Sequence, residues 1–300
     1  ELTDIVAVLT NPVALAQFPH TIFAATMFAA VVMVAVAAFH LSRGQHIDEM
    51  RTALRFGLIT NIVCFAGVAL TGDQLSLIMV ETQPMKMAAA EALYTTTAGA
   101  SFSICTPDGS SELFSIRIPY VLSFLSTQDF MGTVEGINDL QAQYQSEFGP
   151  GDYTPIIWVT YWSFRWMIGL GALAALISVV GLWLTRGGRT PQQNWVWKVA
   201  IWSAPLPLVA SLVGWIFTEM GRQPWIVFGL MKTEDGVSPG VTGFEVLLSL
   251  VAFTLIYGAL AVVEFKLIVK AAVEGPKDWD KYDADEDGGT VDPRSLATVY

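Results

Sequence analysis

The sequence has 300 residues and a mean hydropathy of +0.50; 53% of it is hydrophobic and only 14% charged. Soluble domains carry roughly a quarter charged residues, so this composition excludes an ordinary soluble protein. A net charge of −11, held mostly in connecting segments and the C-terminal tail, argues against nucleic-acid binding, and two cysteines, Cys64 and Cys105, do not support a disulfide framework.

In chain order, the sequence opens on Glu1 with no basic stretch and cleavage site behind it, which reads as a fragment or a processed chain. The first apolar span is expected over about 19–42, near the ~20 residues that cross a bilayer. His20 opens it, in "NPVALAQFPHT" (11–21), and His40 closes it. Twenty helical residues separate them by about 30 Å, so they cannot share one metal. A polar connector, 43–53, carries His46, Arg43 and Arg51, with Arg55 just beyond. The second span, about 54–80, contains Cys64, a small packing residue by its surroundings, and "GDQ" (72–74).

A long acidic segment follows, 81–154, whose only basic residues are Lys86 and Arg117. "PMKMAAAEALY" (84–94) has helical propensity. Lys86 and Glu91 are five apart on it, on neighbouring faces, and the plain reading is a solvated amphipathic turn. "LFSIRIPYVLSFL" (113–125) is apolar enough to pack on something, and Cys105 lies in a polar loop without a partner in that loop.

The third span, about 155–185, contains "YWSFRWMIG" (161–169) with Arg165 and Met167. Arg186 and Arg189 occupy the short connector 186–195, and Lys198 follows it. The fourth span, about 196–220, runs into "FTEMGRQPW" (217–225), where Gly221 and Pro224 end the helix. The fifth, about 243–269, holds Glu264 beside Lys266, an interfacial position. In the tail, "DADEDGG" (283–289) copies the start of a calcium loop, but Arg294 stands where the bidentate Glu belongs, so a solvated acidic segment is expected.

The positive-inside rule sorts these pieces without conflict. The two basic connectors and the C-terminus face the cytoplasm; residues 1–18, the loop 81–154 and "GRQPW" face outside. The expected fold is therefore all-α, a polytopic transmembrane bundle of five spans with a long extracytoplasmic loop. It divides into a two-helix segment (1–80), the loop (81–154), a three-helix segment (155–270) and an acidic tail (271–300).

Ionisable groups at membrane depth are costly and usually functional. Four stand out, His20, Arg165, Glu219 and Glu264, with Met167 and Trp215 beside them. His with Met is an axial pair for a low-spin haem, and an arginine at that depth suits a propionate. Glu219 sits in the last turn of its helix, where the dipole disfavours a carboxylate and favours Arg222. An i,i+3 ion pair and a binding site account for that spacing equally well.

Six motifs, in order, carry a resemblance: "NPVALAQFPHT", "GDQ", "KMAAAE" (86–91), "IRIPY" (116–120), "FRWM" (164–167) and "GWIFTEMGRQPW" (214–225). Together the sequence resembles subunit I of the cytochrome bd-type quinol oxidases, in the branch with a short outer "Q loop". The resemblance implies that His20 and Met167 are axial ligands of a low-spin b haem, with Arg165 near it. It implies that Glu219 ligates a high-spin b haem, with Trp215 and Arg222 beside it. Lys86 and Glu91 match the quinol-binding pair, while Gln74 replaces a second acid found in some members, which leaves Asp73 without a settled role. Family members carry four further spans before the equivalent of Glu1, with the haem d ligands. The implied reaction is quinol oxidation at the outer face, electrons passing through the two b haems to haem d, where O2 becomes water. Subunit II, small single-span subunits and the bilayer are the implied partners. The alternatives are the related cyanide-insensitive oxidase and a haem-free transporter or structural subunit, in which Glu219–Arg222 is only an ion pair.

Overall fold

The structure, a computed structural model, describes residues 5–106 and 116–276. The acidic run at 283–289 and residues 113–115 of the apolar loop stretch lie outside the described residues.

After a short helix α1 (Ile5–Leu9), α2 (Pro12–Ser42) starts well before residue 19. Asn11 caps it by accepting from the Val13 N–H at 2.9 Å, and Pro12 supplies a fixed φ at the first helical position. Helix α3 (Ile47–Thr82) is likewise longer than the expected 54–80. Asp48 and Glu49 in its first turn suit the helix dipole, and Met50 and Leu54 bury against α2, so the basic connector shrinks to four residues. Gly44 and His46 turn the chain there with positive φ.

Helix α4 (Pro84–Glu91) opens the loop, followed by α5 (Val121–Thr127) and α6 (Ile137–Phe148). Antiparallel strand pairs stitch it: β1 (Thr97–Ala98) to β4 (Thr133–Val134), and β2 (Phe102–Cys105) to β3 (Ile116–Ile118). Cys105 thus sits in a strand, not an irregular loop. Helix α7 (Ile157–Leu184) returns through the bundle.

The expected fourth span is broken into α8 (Asn194–Trp202) and α9 (Leu206–Gly221). Pro205 and Pro207 cannot donate to the helical ladder, and the chain turns at Ser203–Ala204, where the Ala204 N–H bonds the Ile201 carbonyl. A hairpin of β5 (Trp225–Val227) and β6 (Met231–Lys232) leads to α10 (Gly243–Glu274), which opens on a Thr242/Glu245 capping box and has no buried residue. Five spans are long and apolar enough to cross a membrane, with α8 and α9 counted as one.

Small residues let α2 and α3 pack closely: a Cβ at Gly57 would lie 2.9 Å from the Ala30 carbonyl oxygen. Asn61 fastens α3 to α7, donating to the Ala174 carbonyl and the Ser178 hydroxyl. The loop has a core of its own. Met85, Ala88, Leu140, Tyr144, Tyr153 and Trp225 form one cluster, and Met87, Leu93, Leu122 and Val134 another. The two faces of α4 enter different clusters, which fixes this short helix between the membrane helices and the loop.

Candidate functional site

Helix α4 is where the loop meets the bundle. Ala88, Ala89 and Ala90 are fully buried, and only side chains this small let the backbone of α4 pack against α7 and α9. The Ala-rich sequence therefore serves both helix propensity and close approach. The two charged residues of α4 are then carried inward rather than into solvent, contrary to the plain reading of the turn.

At its C-terminal end, Glu91 is 2% exposed. Its Oε2 accepts from Arg165 Nη2 at 2.7 Å and from the Ser103 N–H at 3.0 Å. Arg165, from the third turn of α7, also donates to the Ser103 carbonyl through Nε and Nη2, and to the Ala90 carbonyl through Nη1. Its guanidinium lies 3.9 Å over the Tyr161 ring. The Tyr161 hydroxyl and Ser103 Oγ are 2.7 Å apart. All three polar groups of Ser103 are thus engaged, by Glu91, Arg165 and Tyr161. Glu91 Oε1, in contrast, is buried without a hydrogen-bond partner. Burial pushes the Glu91 carboxyl above the usual carboxylate range, against the opposing pull of Arg165 and the Ser103 N–H.

Lys86, near the other end of α4, turns toward α9. Its Nζ donates to the Thr218 carbonyl at 3.4 Å and lies 4.9 Å over the Phe217 ring. A Cβ at Gly221 would come within 2.8 Å of Lys86 Cγ, so glycine there leaves the room the lysine stem occupies. Burial, then the Arg222 charge, lowers the Lys86 ammonium to about 8, with Glu219 opposing. Glu219 and Arg222 form the i,i+3 ion pair. Buried atoms without partners cluster in sequence around this end: Gln83 Oε1, Arg222 Nε and Trp225 Nε1.

The sequence treats Lys86 and Glu91 as a pair. The structure gives them different partners, because five residues turn a helix by about 140° beyond a full circle. Arg165, expected beside a propionate, has all three guanidinium nitrogens engaged by the loop.

His20 lies on α2 against α3, its Nδ1 3.1 Å from Thr71 Oγ1. The Thr71 hydroxyl donates to the Gly67 carbonyl at 2.7 Å, so its oxygen is the acceptor and the Nδ1 proton is assigned to that bond. This tautomer leaves the lone pair on Nε2. Gly72 flanks the ring, where a Cβ would stand 3.4 Å from Cε1, and Asp73 follows it on α3. Met167 Sδ rests on α9 at Gly214, where a Cβ would come within 2.7 Å. Trp215 is next along α9, largely exposed and one turn before Glu219. Glu264 lies on the exposed α10. Among the described residues, no three of His, Cys, Asp or Glu converge to hold a bare metal ion.

Sequence reasoning missed Ser103, Tyr161 and Thr71. Tyr161 was within reach, four residues before Arg165 on the same helix face; a loop serine such as Ser103 carries no signal of its own.

Residues 1–276 match the sequence profile described as "Cytochrome bd terminal oxidase subunit I". The chain belongs to that family. It is 38% identical over 281 residues to "Cytochrome bd ubiquinol oxidase subunit 1" of Bacillus subtilis (strain 168), covering 91% of this chain and 60% of the relative. "Cytochrome bd-II ubiquinol oxidase subunit 1" of Escherichia coli (strain K12) is 26% identical over 336 residues, 92% of this chain and 65% of that protein. The fold is similar to the bd oxidase from Geobacillus thermodenitrificans, with a TM-score of 0.76, 27% identity, and coverage of 91% of this chain and 61% of that one. The chain thus spans about three fifths of the length of these cytochrome bd relatives. As a member of the cytochrome bd family with five apolar spans, it is a membrane protein.

Proposed function

We propose that this chain forms the quinol-oxidising, haem-carrying part of a terminal oxidase that passes electrons from membrane quinol to O2. The observation that carries the reading is Glu91: one carboxylate oxygen is fixed by Arg165 and Ser103, while the other is buried and unpaired. A buried acceptor left open on a well-anchored side chain is suited to a ligand hydroxyl.

In this reading the quinol headgroup binds at α4. Glu91 Oε1 accepts the hydrogen bond of one quinol hydroxyl and takes its proton as electrons leave. The raised proton affinity that burial gives Glu91 brings it nearer the working pH of a general base. Arg165 and Ser103 keep the carboxylate oriented, and we assign Arg165 to Glu91 rather than to a propionate. Lys86, with its ammonium near its titration point, offers a donor to a quinol oxygen and can lose a proton at modest cost.

The residues fit haem as the implied cofactor. Iron held by one or two protein ligands takes its remaining ligands from the macrocycle, and no bare-ion cluster is needed. Glycines at 72 and 214 let the His20 ring and the Met167 sulfur lie close against α3 and α9. We assign His20 Nε2 and Met167 Sδ to the low-spin b haem. Glu219 is assigned to the high-spin b haem, on which Trp215 would pack and whose propionates Arg222 would pair with. No residue of this chain is assigned to haem d, and Asp73 is given no step. When bound, the b haems would supply the electron transfer, and oxygen reduction would fall to haem d. The loop bearing α4 faces outside and the basic connectors face the cytoplasm, with subunit II and small single-span subunits completing the assembly.

The test uses the complete oxidase. Glu91→Gln and Lys86→Met should each lower quinol turnover or raise the quinol KM at least tenfold, while the reduced-minus-oxidised spectrum keeps all haem bands. Unchanged quinol kinetics in both variants overturns the assignment.

A further inference from the structure

The end of the bundle opposite α4 carries a second built feature. A small pocket opens between the N-terminal part of α3, the connection after α7 and the start of α8. Arg51, Arg55, Arg189, Thr185, Thr190 and Trp197 line it. Arg51 Nη2 is pinned on Thr190 Oγ1, yet Arg51 Nε is buried without a partner. Asp48, exposed and 3.9 Å from Arg51 Nη1, is the carboxylate paired with this group. Three guanidinium groups against one solvated carboxylate leave the pocket cationic.

The pocket continues into an apolar groove of about 200 Å³ between α2, α3, α7 and α8, sharing Leu54, Thr185 and Trp197 with it. Leu58, Leu176, Val180 and Val199 line the groove. Trp183, in the last turn of α7, and Trp195, in the first turn of α8, stand exposed at the same end. Exposed tryptophans gather where apolar tails meet headgroups, so they set the pocket at headgroup level and the groove at tail level.

We propose that this pocket and groove bind one anionic phospholipid, its phosphate on Arg51, Arg55 and Arg189 and an acyl chain along Val180 and Val199. Guanidinium pairs with phosphate oxygens through paired N–H bonds, and the unpartnered Arg51 Nε supplies one such donor. A free phosphate would make no use of the groove. A zwitterionic headgroup would bring its own cation against three arginines. Basic pockets between membrane helices on the positive-inside face meet the leaflet that holds anionic lipid.

The complete oxidase, purified in detergent, is exchanged into equal phosphatidylglycerol and phosphatidylcholine, and retained lipid is read by native mass spectrometry. Wild type should retain phosphatidylglycerol about tenfold over phosphatidylcholine. The combined Arg51→Gln, Arg55→Gln, Arg189→Gln variant should retain the two equally. Val180→Trp, which fills the groove and keeps the arginines, should lose retention of both. Haem content reports that each variant is assembled; if the triple variant does not assemble, Val180→Trp alone decides. Equal retention of both lipids by wild type, or wild-type retention in Val180→Trp, overturns the proposal. So does full displacement of the lipid by millimolar inorganic phosphate, which marks a free-anion site. No retained phospholipid in wild type also overturns it, since protein then covers the groove.

Discussion

Arg165→Met removes the cation from a pair whose side chains are 8% and 1% exposed, and keeps a similar apolar stem. Solvent does not screen such a pair, so breaking it leaves the Glu91 charge uncompensated, at a cost of about 3–5 kcal/mol. The Ser103 and Ala90 carbonyls also lose their donor, at roughly 1–3 kcal/mol each where no water replaces it. The charge part is recoverable: adding Glu91→Gln should restore about 3–5 kcal/mol and leave the carbonyl part lost. The pH dependence has a definite sign. Burial already raises the folded-state proton affinity of Glu91, and losing Arg165 raises it further. A carboxyl with a raised folded-state pKa favours the folded loop at low pH, and that contribution fades as pH rises through the raised value. Limited proteolysis of residues 84–106 in the assembled protein should therefore show the single variant opening more with rising pH, and the double variant showing no such dependence. Equal protection of the single and double variants at every pH refutes the reasoning, because Arg165 would then not be compensating a buried carboxylate.

Four further outcomes are expected. Tyr161→Phe deletes the hydroxyl on Ser103 while keeping the ring under Arg165; it should move the ascending limb of quinol kcat/KM to higher pH with haem spectra unchanged, measured by steady-state oxidation across pH. The quinol KM should rise above about pH 8 as the Lys86 ammonium loses its proton, and Lys86→Arg should flatten that rise. Met167→Leu should remove or shift the low-spin band in the reduced-minus-oxidised spectrum, and Thr71→Val should shift it less by freeing the His20 tautomer. Glu219→Ala should deplete the high-spin b haem while low-spin content persists, read by haem extraction and spectrum; full high-spin content would make Glu219–Arg222 an ion pair and nothing more.

How far the sequence carries can be traced residue by residue. The spans are legible because an apolar run of bilayer length, repeated five times in a chain this poor in charge, has no soluble core large enough to bury it. Their ends are less so: α3 gains its first two turns from Met50 and Leu54 packing on α2, a tertiary effect that hydropathy alone does not register. Pro205 and Pro207 stand in plain view in the sequence, yet the run of apolar residues around them hides the break. The site is legible in its residue types but not in its pairings. Lys86 and Glu91 stand close in sequence, so a one-dimensional reading joins them, whereas helical rotation sends one to α9 and the other to α7. Arg165 reads as a membrane-depth cation in search of an anion, and the carboxylate that meets it lies 74 residues earlier, in a loop. Ser103 shows where such reading ends. What makes it the hub is its backbone N–H and carbonyl, which every non-proline residue has, and which only the pairing of β2 and its approach to α7 turn toward Glu91 and Arg165. The orientation of Glu91 and Arg165 therefore rests on β2 being carried up to them by the fold. A change that shifts β2 by a single residue would present a neighbouring N–H and carbonyl to Glu91 and Arg165 but turn the Ser103 hydroxyl away from Tyr161, so it should remove the Tyr161 contact before it removes the backbone donor to the carboxylate.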